Sequence, residues 1–426
     1  MKKVYVYQIG CGFFGKFGFE KLLQLSKKHY FVEFNGIAEI NPERRKFIKK
    51  KAEEYKTKLK IFDHTFEMYK EAYQKSMRLK DKNKIMIYDT SPSELHYSHL
   101  LKSMKFGFWH LTEKPPALTK EEFEQELKFP KKWGCDFIEE ENEVVLTAID
   151  YLKRNKLKIK SIEIFRESSI GLQKILRGAF AREGIKGGCL LDKSIHEIYM
   201  FSFLNACKQE IKNIKLTKAR ANYLMIESLN KNNFLDIFGQ LKKEISKDIA
   251  TAESIVEGIL ETKKSKIPFK LHSSWLGISE EGKKISNKLK KLTNYEFVRK
   301  KQEEGMKLPY EDFRLFILNC DSVILYGEMK NKKLFVEKNK RIKEIQLLYL
   351  KEDALYRMLE KFIFKILKVK ETNLENMRNI MKIIFDSKEK IWEDLRNKGN
   401  VKEIERTKNI VRKRIEELSK SSKDYI

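Results

Sequence analysis

From Val4 onward, short apolar runs alternate with helix-patterned stretches for more than 100 residues, and this alternation constrains the fold more than any other feature of the chain. Val4 to Ile9 reads as a buried strand, the residues after Gly12 as a helix, and "FVEFNGIAEI" as a second strand ending at Glu39. That is strand, helix and strand in about 36 residues, the size of one βαβ unit. The pattern continues with a helix from Pro42, a short strand at "KLKIFD", a helix over "FEMYKEAYQKSM", a strand at "KIMIYDT", a helix from Leu95, and strands at "GFWHL" and "WGCDFI". Such alternation predicts a parallel sheet covered by helices on both faces.

At the first strand-to-helix junction stands "YQIGCGFFGKFGFEKLL", with Gly10, Gly12 and Gly15 at one-and-two spacing. Glycines at this spacing occur by chance, so context decides. Here they follow a strand, open a helix, and are succeeded by an acidic residue, Glu39, at the end of the next strand. In a Rossmann-type turn, Gly10 permits the tight bend, Gly12 lets the backbone approach a pyrophosphate, and Gly15 allows the helix to pack closely on the strand. The unpaired N–H groups of the first helical turn, at Phe13 and Phe14, then face the phosphates. A carboxylate at Glu39 accepts both ribose hydroxyls and repels a 2′-phosphate, which favours NAD, whereas Arg44 and Arg45 nearby keep NADP open.

Past "EEENEVVLTAIDYLKRN", a predicted helix, the grammar changes. Strand-like runs "IKSIEIFRES", "NIKLTKARANYLMI", "FLDIFGQLKKEI", "TAESIVEGILE", "DSVILYGEM" and "KLFVEK" follow one another, and helices are few. The expected class is α/β: a doubly wound parallel sheet over residues 1–139, an α+β domain with a mostly antiparallel, open-faced sheet over 140–370, and a helical extension over 371–426. The stretch from 277 to 312 reads as a charged, helical insertion. With 89 Lys and Arg against 61 Asp and Glu, the formal net charge is +28, but the lysines are scattered over helix faces and form no basic stripe with interleaved aromatics, so no specific nucleic-acid partner is expected. Five dispersed cysteines, with no C-x-x-C pair, suggest neither a disulfide framework nor a metal site. No run of 18 apolar residues occurs, so a soluble, cytoplasmic protein without a membrane partner is expected.

Two further stretches carry chemistry. In "DTSPSELHYSHLLKSMKFGFWHLTEKPPALT", Pro92 ends one strand and Lys114 ends the next, at the carboxyl edge where open parallel sheets bind ligands. Pro115 and Pro116 restrict the backbone beside that lysine. In "GGCLLDKSIHEIY", Asp192 and His196 are four apart and share a helix face, behind the pair Gly187 and Gly188. An imidazole oriented by a carboxylate is a suitable proton acceptor near neutral pH.

Together and in this order, these motifs resemble the glucose-fructose oxidoreductase and inositol dehydrogenase family (Gfo/Idh/MocA). The glycine turn, the triplet Glu113-Lys114-Pro115, and the helix with Gly187-Gly188, Asp192 and His196 carry the resemblance, which covers about residues 1 to 280. It implies an NAD(P)-dependent oxidoreductase acting on a secondary alcohol of a sugar, cyclitol or sugar derivative. It further implies catalytic roles for Lys114, Asp192 and His196, cofactor contacts from Thr90, Ser91, Pro92, His96, Glu113 and Lys114, a substrate placed between the two domains, and a homo-oligomer formed through the second sheet. Tyr199 and Ser194 depart from the family pattern, so substrate identity does not carry over. A NAD-dependent glycosidase on the same fold and a non-catalytic nucleotide-binding regulator are the alternatives.

Overall fold

The protein is described here by a computed structural model that covers residues 3–169, 188–225, 249–297, 299–301 and 310–397. Two compact units divide the chain: residues 1–141 with 350–375, and residues 142–349 with 376–426.

The first unit is built on six strands, β1 (Val4–Ile9), β2 (Val32–Ala38), β3 (Lys60–Phe62), β4 (Ile85–Asp89), β5 (Trp109–Thr112) and β6 (Trp133–Cys135). They lie in the order β3-β2-β1-β4-β5-β6 and every pairing is parallel. All carboxyl ends therefore share one edge, and the order reverses direction between β1 and β4, the switch point at which such sheets bind ligands. The helices α1 (Phe13–Lys28), α2 (Pro42–Glu54), α3 (Thr65–Leu79), α4 (His96–Phe106) and α5 (Lys120–Glu126) connect the strands. Their sequence signals are local: Asn41 caps α2 ahead of Pro42, and Thr119 with Glu122 forms a capping box on α5. Strands β1 and β4 are buried almost throughout, as a sheet covered on both faces requires.

One domain boundary differs from expectation. Residues 350–375 belong to the first unit, not to the second, because the helix Ala354–Leu367 lays Tyr356, Leu359, Phe362, Ile363 and Ile366 into the cluster formed by Phe19, Leu22 and Trp109. Apolar burial outweighs sequence distance in deciding where this amphipathic helix docks.

The second unit opens with α6 (Glu143–Arg154) and carries a nine-stranded sheet of order β15-β14-β13-β12-β7-β10-β9-β8, with β11 paired to β12. Its strands are β7 (Ile159–Ser168), β8 (Ile211–Met225), β9 (Ile249–Thr262), β10 (Lys266–Ser274), β11 (Arg299–Lys301), β12 (Tyr310–Cys320), β13 (Ile324–Glu328), β14 (Lys333–Lys338) and β15 (Arg341–Glu344). Among the described residues, only β7 and β10 of this sheet pair in parallel, and its other pairings are antiparallel. The expected strand "FLDIFGQLKKEI" and Gly187 lie outside the described residues. Two central strands, β10 and β12, escaped the sequence reading.

The face expected to be open is partly closed by the chain itself. The insertion forms α9 (Glu280–Thr293), after α7 (Gly188–Ser194) and α8 (Tyr199–Ala206) in chain order, and its Leu289, with Phe297 beyond it, covers Phe165, Phe313, Leu315, Tyr326 and Phe335. Ser279 caps α9 by accepting from Gly282 N, and donates from Oγ to Glu167 Oε1 at 2.5 Å, so the helix is fastened to β7 at its start.

Candidate active site

The glycine turn has the geometry its spacing implies. Gly10 adopts φ of 81°, and a Cβ there would stand 2.8 Å from the Thr90 carbonyl oxygen, so only glycine fits. A Cβ on Gly15 would lie 2.6 Å from Thr90 Oγ1, which makes that residue the close-packing glycine. Gly12 differs: an added Cβ would meet nothing nearer than Arg44 Nη1 at 3.9 Å. It is the N-cap of α1 and brings no side-chain cap, no acidic residue stands in the first turn, and the first intrahelical bond runs from Lys16 N to Gly12 O. The positive end of the helix is thus left open to an anion. Phe13 is 68% exposed beside it, whereas Phe14 packs into the core beneath α1.

Gln8, which the sequence reading passed over, staples this turn. Fully buried in β1, its Nε2 donates to Gly10 O at 2.8 Å and Gly15 O at 2.9 Å. A glutamine inside an apolar strand, two residues before the first glycine, was the available signal. Thr90 Oγ1 reaches Ile9 O and Gly10 O, both at 2.9 Å, and joins β4 to the turn.

Glu39 stands at the end of β2 as expected, but it is 3% exposed and already engaged. Its Oε2 accepts from Cys11 N at 2.6 Å and its Oε1 from Asn41 N at 2.8 Å. Each carboxylate oxygen retains a second lone pair, so the group can accept ribose hydroxyls while holding the turn to β2. Arg44 Nη1 lies 3.8 Å from Glu39, whereas Arg45 is paired with Asp63. Burial, with Glu39 second, pushes the Cys11 thiol up to about 12, so it is no nucleophile.

At the ends of β4 and β5 a network of titratable side chains shapes two loops. Asp89 is fully buried; its Oδ1 accepts from Ser91 N at 3.0 Å and its Oδ2 lies 2.9 Å from His99 Nδ1. Burial alone would raise this carboxyl, but the hydrogen bond and charge of His99 outweigh it and hold Asp89 well below the usual range. Burial lowers the His110 imidazole to about 3, which keeps it neutral beside Asp89 at 3.8 Å. Pro92 opens the short turn Ser93–Leu95, and His96 begins α4 with both ring nitrogens turned inward, on Ser91 O and Pro115 O. Glu113 N donates to Asp89 O at 2.8 Å, which places Lys114 at the sheet's carboxyl edge as the motif predicts. The Lys114-Pro115 peptide is cis.

Asp136, also unnoticed in the sequence, ends β6 at the same edge. It accepts from Tyr88 OH at 2.9 Å and is 2% exposed; burial first, then the nearby Glu113, push its carboxyl well above the ordinary range, and Lys114 counters them in part.

In the second unit Gly188, at φ of 60°, lets the start of α7 approach β9 so closely that a Cβ would lie 2.6 Å from Thr251 N. Asp192 and His196 do share a face: along 188–200 they alone are partly exposed while every other residue is buried. The helix tightens to a 3-10 turn over Ile195–Ile198, so His196 sits on a shorter repeat than an α-helix gives. Asp192 Oδ2 accepts from Trp275 Nε1 at 2.8 Å and lies 3.6 Å from Lys193 Nζ. Neither Trp275 nor Lys193 was singled out in the sequence. Trp275 directly follows β10, one of the two unforeseen strands.

No protein-family profile and no curated protein sequence matches the chain. Solved structures do. UDP-N-acetylglucosamine 3-dehydrogenase GnnA from Acidithiobacillus ferrooxidans aligns over 92% of this chain and 98% of its own, with TM-score 0.54 and 14% identity. Myo-inositol 2-dehydrogenase from Lactobacillus plantarum aligns over 92% and 97%, with TM-score 0.58 and 14% identity. A levoglucosan dehydrogenase, solved with NADH and levoglucosan, aligns over 92% and 98%, with TM-score 0.61 and 13% identity. These structures share the two-domain fold of this chain.

Proposed function

From the two-domain Gfo/Idh/MocA-type fold that this chain carries, we propose that the protein is a nicotinamide-dependent dehydrogenase acting on a secondary alcohol of a sugar, cyclitol or sugar derivative. The observation that carries the proposal is the glycine turn: three glycines, two of them sterically obligatory and the third open, stand before an uncapped helix N-terminus at the switch point of a parallel sheet. The fold neighbours solved with NADH or NAD(H) support it. The pyrophosphate belongs at Gly12 and the first turn of α1, the adenosine ribose at Glu39, and the nicotinamide side at the loop Thr90–Pro92. When bound, the nicotinamide supplies the hydride acceptor.

The chain's own residues supply the rest. Lys114 donates a hydrogen bond to the reacting oxygen and stabilises the negative charge that develops there. His196 takes the hydroxyl proton. Asp192, held by the Trp275 indole, orients imidazole and substrate. NAD is the preferred cofactor, because a carboxylate at Glu39 disfavours a 2′-phosphate. Incubation of the protein and NAD with a panel of sugars, cyclitols and nucleotide-sugars, followed by NADH absorbance, tests the assignment. NADH formation on at least one member is expected; sugar release without net NADH would instead indicate a glycosidase.

A further inference from the structure

His96 lies between two candidate loops and is 1% exposed. Its Nδ1 stands 2.8 Å from Pro115 O and its Nε2 2.9 Å from Ser91 O. A carbonyl oxygen only accepts, so a ring nitrogen that carries the hydrogen donates to the carbonyl it faces. The ring thus spans from the loop after β4 to the turn after β5, and neither nitrogen is left to face a ligand. We propose that His96 is a positioning residue: it fastens the Lys114-Pro115 turn to the Ser91-Pro92 loop and so sets where the Lys114 ammonium stands, without touching substrate or cofactor.

The two ends of this brace are unequal. On the β4 side, Ser91 is independently anchored: its N–H donates to Asp89 Oδ1 at 3.0 Å, and its Oγ lies 3.3 Å from His99 Nδ1. Asp89 is itself fixed by His99 and receives Glu113 N on its backbone oxygen. On the β5 side, Pro115 brings no N–H and follows the lysine directly, so its carbonyl is a handle on the turn beyond the Glu113 N bond to Asp89 O. Displacing a charge-stabilising group by about 1 Å costs on the order of 10²-fold in rate. The Ser91 bond is therefore partly redundant, and the Pro115 bond, together with Glu113 N on Asp89 O before the lysine, helps set where Lys114 stands.

The effect on rate rests on the role proposed for Lys114; the effect on the loops does not. Two variants separate the bonds by shape. His96→Gln places an amide nitrogen near Nε2 and keeps the Ser91 contact; His96→Asn places one near Nδ1 and keeps the Pro115 contact. Hydrogen–deuterium exchange without substrate should rise several-fold over residues 112–118 in His96→Gln and stay near wild type there in His96→Asn. With a sugar that is oxidised, His96→Gln should lose about tenfold or more in kcat with KM for NAD changed less than about threefold, and His96→Asn should retain most of kcat. Unchanged exchange over 112–118 in His96→Gln overturns the brace, whether or not any sugar is turned over. Equal losses of kcat, NAD affinity and thermal stability in both variants also overturn it, since they would mark a general structural role. If wild-type protein oxidises no sugar, the proposed function fails and the exchange result still decides the brace.

Discussion

The three glycines make separable demands, and alanine substitutions should separate them. Gly10→Ala forces a side chain into a positive φ and against the Thr90 carbonyl, and Gly15→Ala drives a methyl into Thr90 Oγ1. Each is expected to destabilise the fold by about 1–3 kcal/mol, measured as a lowered midpoint of thermal or urea unfolding. Gly12→Ala meets nothing nearer than Arg44 Nη1 at 3.9 Å, an ordinary van der Waals contact, so it should unfold like the wild type yet bind NADH at least about tenfold more weakly in a fluorescence titration. Wild-type NADH affinity in Gly12→Ala would remove the pyrophosphate from that position. Glu39 tests the nucleotide at its other end. Glu39→Ser removes the acceptor for the ribose hydroxyls and releases Arg44, 3.8 Å away, to face a 2′-phosphate, so the ratio of NAD to NADP affinity should fall by about tenfold or more. Because the same carboxylate accepts from Cys11 N and Asn41 N, this variant should also lose stability. Equal affinities for the two cofactors in the unaltered protein would contradict the assignment of Glu39.

Among the elements, α5 carries a titration that reaches the whole first unit. Glu126 at its end is fully buried, its two carboxyl oxygens have no hydrogen-bond partner among the described residues, and burial, with Glu122 second, raises it to about 9. A group raised in the folded state favours folding below its unfolded value and loses that contribution as pH climbs toward the folded one. Stability should therefore fall from about pH 4.5 to about pH 9 through this residue, by up to about 1.4 kcal/mol for each pH unit. Glu126→Gln should flatten that slope and raise the unfolding midpoint at pH 8 more than at pH 5; an unchanged slope would show that Glu126 is solvated. The elements also show what the sequence could reveal. Strand β7 over Ile159–Ser168 and strand β14 over Lys333–Lys338 coincide with the runs read from the chain, because alternating β-branched and aromatic residues between turns leave little choice. Strand β10 did not stand out, since Pro268 interrupts its pattern, Lys266 opens it and Ser273 and Ser274 close it. The docking of the helix Ala354–Leu367 on the first unit is a tertiary choice among apolar faces, invisible to local pattern. Among the candidate residues, the local placement of the glycines, Glu39 and Lys114 in the first unit, and of Asp192 and His196 in the second, was legible because each motif fixes backbone or spacing. Gln8, Trp275 and Asp136 were not, because their roles arise from contacts between strands distant in sequence.

For the whole molecule, the proposed function gives the cofactor to one set of residues and the chemistry to another, and the two should separate under mutation. Lys114 stands at the end of β5, away from the glycine turn at the end of β1. Loss of its ammonium should leave the pyrophosphate contacts intact and remove stabilisation only where charge develops. His196→Ala should likewise spare the cofactor, with a residual rate that climbs as pH rises and hydroxide replaces the imidazole as proton acceptor. Because residues of one catalytic unit are non-additive, the double variant should be far less than multiplicatively worse than the singles. The most direct measurement is hydride transfer from an identified sugar substrate in wild type, Lys114→Met and His196→Ala, with NAD affinity determined on the same samples. Turnover lower by about 10²-fold or more in each variant, at nearly unchanged NAD affinity, is expected; full hydride transfer in both variants would contradict the proposed dehydrogenase site.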